Sequence, residues 1–184
     1  MAKQILILEG SPRKKGNSST LADQAANGAR ETGAEVESVY LQGLKITPCN
    51  GCDACLTNGI CVINDGMQEL YPKLAAADGL ILATPIYMYT FTAQLKICLD
   101  RWYALWNGNN RFLKGKPVGI ILTYGESDLY TSGAINAIHT FETMFRVFEA
   151  RVSWVYGSLM DIGEVNNDVE LMRKAYVMGK KIAS

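Results

Sequence analysis

The stretch ILILEGSPRKKGNSSTLADQAANGAR, residues 5–30, decides the fold. Ile5 to Leu8 form a continuous apolar run, as a central strand covered on both faces requires. Gly10 to Thr20 follow, combining small residues, three consecutive cations and several hydroxyl or amide side chains. Leu21, Ala22, Ala25, Ala26 and Ala29 then share one helical face, and Gly33 supplies the stop.

The same alternation repeats outward. Val36 to Leu41, Leu80 to Ala83, Val118 to Leu122 and Val152 to Tyr156 read as further strands with helical stretches between them. LILA and VGIIL are continuously apolar and suit the centre of a sheet, whereas EVESVYL and RVSWVYG alternate and suit its edges. Asp65 with Gln68, and Asn167 with Glu170, have the spacing of reciprocal helix caps. Strand and helix in strict succession predict an α/β, doubly wound, five-stranded parallel sheet of flavodoxin-like order 2-1-3-4-5, with helices on both faces. Its ligand crevice lies at the carboxyl ends of strands one and three. Residues 1–184 are expected to form one domain, with a cysteine-rich loop at 48–64.

Composition narrows the function. Apolar residues make up 48% of the chain, charged residues 20%, and the formal net charge is zero. That leaves neither the cationic excess a polyanion partner needs nor a disordered composition, so nucleic acid is not expected. The opening MAKQILILEG is too short to span a membrane and lacks a small-residue cleavage site, which predicts a cytoplasmic protein without a membrane partner. In a reducing compartment the five cysteines are better read as ligands or reactive thiols than as a disulfide framework.

Three strand exits carry the candidate chemistry. In GSPRKKGNSST, backbone amides at a helix start, the side chains of Ser11, Asn17, Ser18 and Ser19, and the charge of Arg13 make a phosphate cradle. It has neither the P-loop ending nor the dinucleotide glycine pattern. After strand three, Pro85, Ile86, Tyr87, Met88, Tyr89, Thr90 and Phe91 form a wall for a flat ring, followed by a helix bearing Lys96, Asp100, Arg101 and Trp102. Thr123, Tyr124, Gly125 and Glu126 after strand four make the opposite wall. Leu95, Cys98, Leu99, Trp102 and Trp106 recur at helical spacing and read as core or dimer contact, and His139 reads as a surface residue.

Strand two leads into PCNGCDACLTNGIC, in which Cys49, Cys52, Cys55 and Cys61 follow the spacing C-x2-C-x2-C-x5-C. Three cysteines at two-residue intervals match the compact run of cubane clusters, while structural zinc commonly pairs two knuckles across a longer gap. Three occupants stay open on spacing alone: a 4Fe-4S cluster, zinc, or uncoordinated redox thiols. The loop starts on the crevice edge, so it is expected roughly 10 to 20 Å from the flat-ring site.

Together these segments resemble the iron-sulfur flavoprotein branch of the NADPH-dependent FMN reductase family, in the flavodoxin-like superfamily. GSPRKKGNSST is similar to its FMN phosphate loop, with Ser11, Arg13, Asn17 and Ser18 at phosphate positions. TPIYMYTFTAQLKICLDRW is similar to its flavin loop, with Pro85, Ile86 and Tyr87 at the ring. The resemblance implies FMN, a 4Fe-4S cluster on the four cysteines, a homodimer or homotetramer, and electron transfer between NAD(P)H or ferredoxin and an acceptor. Cluster and flavin of different subunits are then expected to approach across the interface. No catalytic side chain is required, because the flavin carries the chemistry. The alternatives are a cluster-free NAD(P)H-dependent FMN or quinone reductase and a flavodoxin-type electron carrier.

Overall fold

The computed structural model describes residues 2–106 and 112–184. The apolar runs become β1 (Gln4–Glu9), β2 (Glu35–Tyr40), β3 (Gly79–Tyr87), β5 (Pro117–Tyr124) and β6 (Arg151–Ser158), with a two-residue β4 (Thr90–Phe91) folded back on β3. The long strands are parallel in the order β2-β1-β3-β5-β6, and β4 pairs antiparallel with β3 through Ile86 to Phe91 and Tyr87 to Thr90. Counting only the five long strands, this is the anticipated 2-1-3-4-5 order. The alternating segments do lie at the edges.

The helices are α1 (Asn17–Glu31), α2 (Cys55–Asn58), α3 (Met67–Ala76), α4 (Ala93–Arg101), α5 (Tyr103–Trp106), α6 (Ala134–Val147) and α7 (Val169–Ala183). Because strand side chains alternate, each strand feeds two cores. Ile5, Ile7, Ile81, Ile121 and Val155 pack under α1 and α7, while Leu6, Leu8, Leu80, Leu82 and Ile120 pack under α3, α4 and α6. Leu95, Cys98, Leu99 and Trp102 are buried in the second of these cores, whereas Trp106 is half exposed. No described helix is long and apolar enough to cross a membrane.

α1 and α7 cross backbone against backbone. A Cβ on Gly179 would stand 1.8 Å from the Ala25 carbonyl oxygen, and one on Gly28 would stand 2.0 Å from that of Tyr176. Only the absence of a side chain permits this approach.

Two caps differ from their sequence reading. α7 is capped by Asp168, whose Oδ1 accepts from the Leu171 amide at 2.8 Å, so the pattern begins one residue later than Asn167. Asp65 does accept from the Met67 amide at 3.0 Å, but Gln68 does not answer it. Its Nε2 donates to the carbonyls of Cys61 and Ile63, which ties the side chain to the preceding loop where that loop folds over the helix start.

Candidate functional site

The exits of β1, β3, β5 and β6 surround one cleft, lined by Ser11, Arg13, Gly16, Asn17, Ser18, Pro85, Ile86, Tyr87, Thr123, Tyr124 and Gly125, with Leu159 to Ile162 closing the far side. An adjoining cleft shares Ile86, Tyr124, Gly125 and Met160, and adds Met88, Tyr89 and Glu126. Ten of the thirteen residues read as cofactor contacts therefore meet in the first cleft. Met88 and Glu126 line its neighbour. Ser19 lines neither, since its hydroxyl donates to the Arg13 carbonyl at 3.3 Å and also bonds to Glu9. Burial holds the Glu9 carboxyl above its ordinary value against that Ser19 bond, with Asp23 adding to the rise.

The floor of the cleft is the N-terminus of α1. No side chain caps it and no acidic residue occupies its first turn. Four amides at any helix start lack intrahelical partners, and the peptide dipoles there favour negative charge. Ser18 sharpens this point. It is 1% exposed, and its Oγ is buried without a hydrogen-bond partner. A buried hydroxyl without a partner is costly, so its presence at the floor of a cleft fits a ligand oxygen.

The loop above is stitched in place. Ser11 Oγ accepts from the Arg13 amide at 3.0 Å, and the Tyr40 hydroxyl donates to Pro12 O at 2.5 Å from the end of β2. Asn17 is committed elsewhere. Its Nδ2 donates to Asp161 O at 2.8 Å, and its Oδ1 accepts from Gly163 N at 2.9 Å, which pins the β6 exit against the phosphate-type loop. It borders the cleft as a strut.

The flat-ring wall stands on a tight hairpin. Tyr87 and Thr90 pair across Met88 and Tyr89, whose φ angles of 47° and 67° are both left-handed. Two-residue hairpins favour that geometry but usually fill it with Asn and Gly, so two bulky residues there store backbone strain. The start of α6 holds the turn. Asn136 Nδ2 donates to Tyr89 O at 3.1 Å, and Gly133, at φ 73°, leaves room that a Cβ 2.5 Å from Tyr89 Cβ would fill. At the hairpin's base, the Thr92 hydroxyl donates to Gly10 O at 2.7 Å, joining this wall to the β1 exit.

Sequence reading missed Leu159, Met160, Asp161 and Ile162. The signal was available, because the exit of a fifth parallel strand must open on the same edge as the others. His139 is exposed on α6.

The cysteine loop starts on this edge and then leaves it. Gln94 in the first turn of α4 donates to Gln42 at 2.6 Å, and Arg101 in its last turn donates to Thr47 O at 2.8 Å. At 1.5 Å rise per residue these anchors are about 10 Å apart along the helix. None of the four cysteines lines either cleft. Cys49 and Cys52 are exposed, Cys61 is partly buried, and Cys55 is buried at the start of α2. Left-handed Gly51, Asp53 and Gly59 turn the chain between them.

Burial raises the Cys55 thiol, and the charges of Cys61, Cys49 and Cys52 raise it further, so the four sulfurs share one electrostatic neighbourhood. Burial would also raise Cys61. The Ile63 amide, the Tyr71 hydroxyl and Arg101 outweigh it and hold that thiol below its ordinary value. Four soft thiolates suit iron or zinc as a donor set. Among the described residues, though, no three Cys, His, Asp or Glu side chains converge closely enough to hold a metal ion as the loop stands. Cys98 is set apart, its thiol pushed up to about 12 by burial.

A doubly wound sheet whose switch-point crevice joins an uncapped helix start to an aromatic wall defines a flavodoxin-like class of protein. The family model described as NADPH-dependent FMN reductase matches residues 4–157, and the chain belongs to that family of oxidoreductases. It is 37% identical over 183 residues to an iron-sulfur flavoprotein of Archaeoglobus fulgidus, covering 98% of this chain and 79% of that one. To an iron-sulfur flavoprotein of Methanocaldococcus jannaschii it is 32% identical, over 98% of this chain and 95% of the other. The solved structure of an NAD(P)H:quinone oxidoreductase from Methanothermobacter marburgensis superimposes with a TM-score of 0.76 at 17% identity, over 100% and 98% of the two chains, and shows the shared fold.

Proposed function

We propose that this chain is an FMN-dependent oxidoreductase that moves electrons between NAD(P)H or ferredoxin and an acceptor, with a 4Fe-4S cluster on Cys49, Cys52, Cys55 and Cys61. The observation that carries the FMN site is the unpartnered Ser18 hydroxyl beneath an uncapped helix start. The phosphate of FMN would rest on the first-turn amides of α1, the Ser18 hydroxyl and the Arg13 guanidinium, which together offer neutral and charged donors. Pro85, Ile86 and Tyr87 would hold one side of the ring, and Thr123, Tyr124 and Gly125 the other. When bound, FMN supplies the exchange between two-electron and one-electron chemistry. The protein binds, orients and shields it, and no side chain in the cleft is needed as a general base.

The cluster reading is supported by the four-thiol donor set, by its spacing and by the kinship with iron-sulfur flavoproteins. Because the loop runs back along α4, a second copy of the chain would be the route that brings its cysteines toward a flavin, which agrees with a homodimer or homotetramer. One observation favours a cluster-free reductase instead: the described thiols do not converge as a metal-holding group.

One measurement tests the FMN site common to both readings, and a second separates them. FMN should bind at least roughly a hundredfold more tightly than riboflavin if the phosphate is held as described; equal affinities would remove the phosphate site. Anaerobic mixing with NADPH, NADH or chemically reduced ferredoxin should bleach the flavin with at least one of them. Bleaching by nicotinamides alone, with no iron or acid-labile sulfide retained, would leave the cluster-free reductase.

A further inference from the structure

Arg101 is the most deeply buried charge in the described chain, 1% exposed at the last turn of α4, and it faces the cysteine loop rather than the cleft. Its Nη1 donates to Asp65 Oδ2 at 2.7 Å and to Thr47 O at 2.8 Å, and its Nη2 donates to Ile63 O at 3.3 Å. Thr47 lies just before Cys49 and Ile63 just after Cys61, so one guanidinium grips both ends of the loop. Asp65 completes the grip by accepting from the Thr47 amide at 2.7 Å with the same oxygen. Nearby bonds run the same way: Gly66 N donates to Lys45 O at 3.0 Å, and Tyr71 donates to the Arg101 carbonyl at 3.1 Å. The Nε of Arg101 is buried without a partner, a donor left over on the loop's inner wall.

A buried ion pair contributes little net stability compared with apolar packing, because desolvation offsets the attraction. Its presence here asks for another reason, and the geometry supplies one. Lysine would neutralise Asp65 but could not span two carbonyls with a planar fork.

We propose that Arg101 is the positioning residue of the cysteine loop: clamped by Asp65, it joins Thr47 to Ile63 and so brings the ends of the four-thiol segment together before any iron is bound. This rests on the cluster reading for its purpose, but the clamp itself is a property of the protein without metal. The tests are Arg101→Lys, which keeps the charge, and the double variant Arg101→Met with Asp65→Asn, which removes both charges and leaves neither buried alone.

Hydrogen exchange on the metal-free, FMN-bound protein reads the clamp directly. The amides of Thr47 and Gly66 should exchange at least roughly tenfold faster in Arg101→Lys than in the native chain, while amides of β1 and β3 keep their rates. Anaerobic reconstitution with ferrous iron and sulfide should load the variants at least roughly tenfold more weakly, with FMN content unchanged. Unchanged exchange at Thr47 and Gly66 in both variants would overturn the clamp. So would faster exchange with native iron loading, since positioning would then not matter to the thiols. If the native chain itself takes up no iron or sulfide, the cluster reading fails, and the exchange rates alone decide the clamp. Should the double variant lose FMN and its β1 protection together, it has misfolded, and Arg101→Lys carries the decision.

Discussion

Ser18→Ala should move apo stability and FMN affinity in opposite directions. In the ligand-free chain the Ser18 hydroxyl is buried and unpartnered. An unsatisfied buried polar group costs about 1–3 kcal/mol, so removing it should leave the apo protein unchanged or more stable by about 1 kcal/mol after a small packing loss. For a chain of this length that is an apo Tm shift between zero and roughly +4 °C. The bound form loses a hydrogen bond to a charged oxygen, worth about 1.5–3 kcal/mol, which weakens Kd roughly 10- to 150-fold. At an FMN concentration a hundred times the native Kd, ligand stabilisation falls from about 2.7 to about 0.3–1.3 kcal/mol. Differential scanning fluorimetry with and without FMN, together with a flavin fluorescence titration, reads both quantities. An apo Tm several degrees lower would make Ser18 a structural residue, and an unchanged Kd would take the phosphate off α1.

Three further expectations follow from named contacts. Gly133→Ala meets a left-handed backbone and the Tyr89 backbone at once, so urea unfolding should show a loss of roughly 2–5 kcal/mol with weaker FMN retention; a loss under about 0.5 kcal/mol would mean the hairpin yields freely. Gly179→Ala has better helix propensity by about 1 kcal/mol yet should destabilise by at least about 3 kcal/mol, because α1 and α7 must part; a more stable variant would refute the backbone contact. The Asp65 carboxyl is held below its ordinary value of 3.8: burial raises it, but Arg101 and the amides of Thr47 and Met67 outweigh that. Its contribution is therefore present above pH 3.8 and lost as pH falls through the lower folded value. Asp65→Asn should cost about 3–5 kcal/mol near neutral pH and progressively less in acid; a difference independent of pH would contradict the pairing.

The sheet was legible because its strands differ in kind. ILIL, LILA and VGIIL are apolar on both faces and sit centrally, while EVESVYL and RVSWVYG alternate and sit at the edges. Most of the cleft followed from the rule that parallel strands open on one edge. What stayed hidden depends on contacts distant in sequence. Asn17 reads as a phosphate donor in its loop, but its amide is engaged by a segment more than 140 positions away. Met88 and Tyr89 carry no turn signature, since their left-handed geometry is imposed by α6. Arg101 sits between Asp100 and Trp102 and looks like a surface charge until the cysteine loop folds over it. The path of that loop back along α4 leaves no trace in cysteine spacing.

Anaerobic reconstitution of the native chain, followed by absorption spectroscopy and analysis of flavin, iron and acid-labile sulfide, decides whether FMN and a cluster share this chain. The expected result is about one FMN with roughly four iron and four sulfide per chain, and a broad cluster absorption beneath the flavin bands. FMN without iron or sulfide would contradict the cluster on Cys49, Cys52, Cys55 and Cys61, and a chain that retains neither would contradict the reading of the cleft as well.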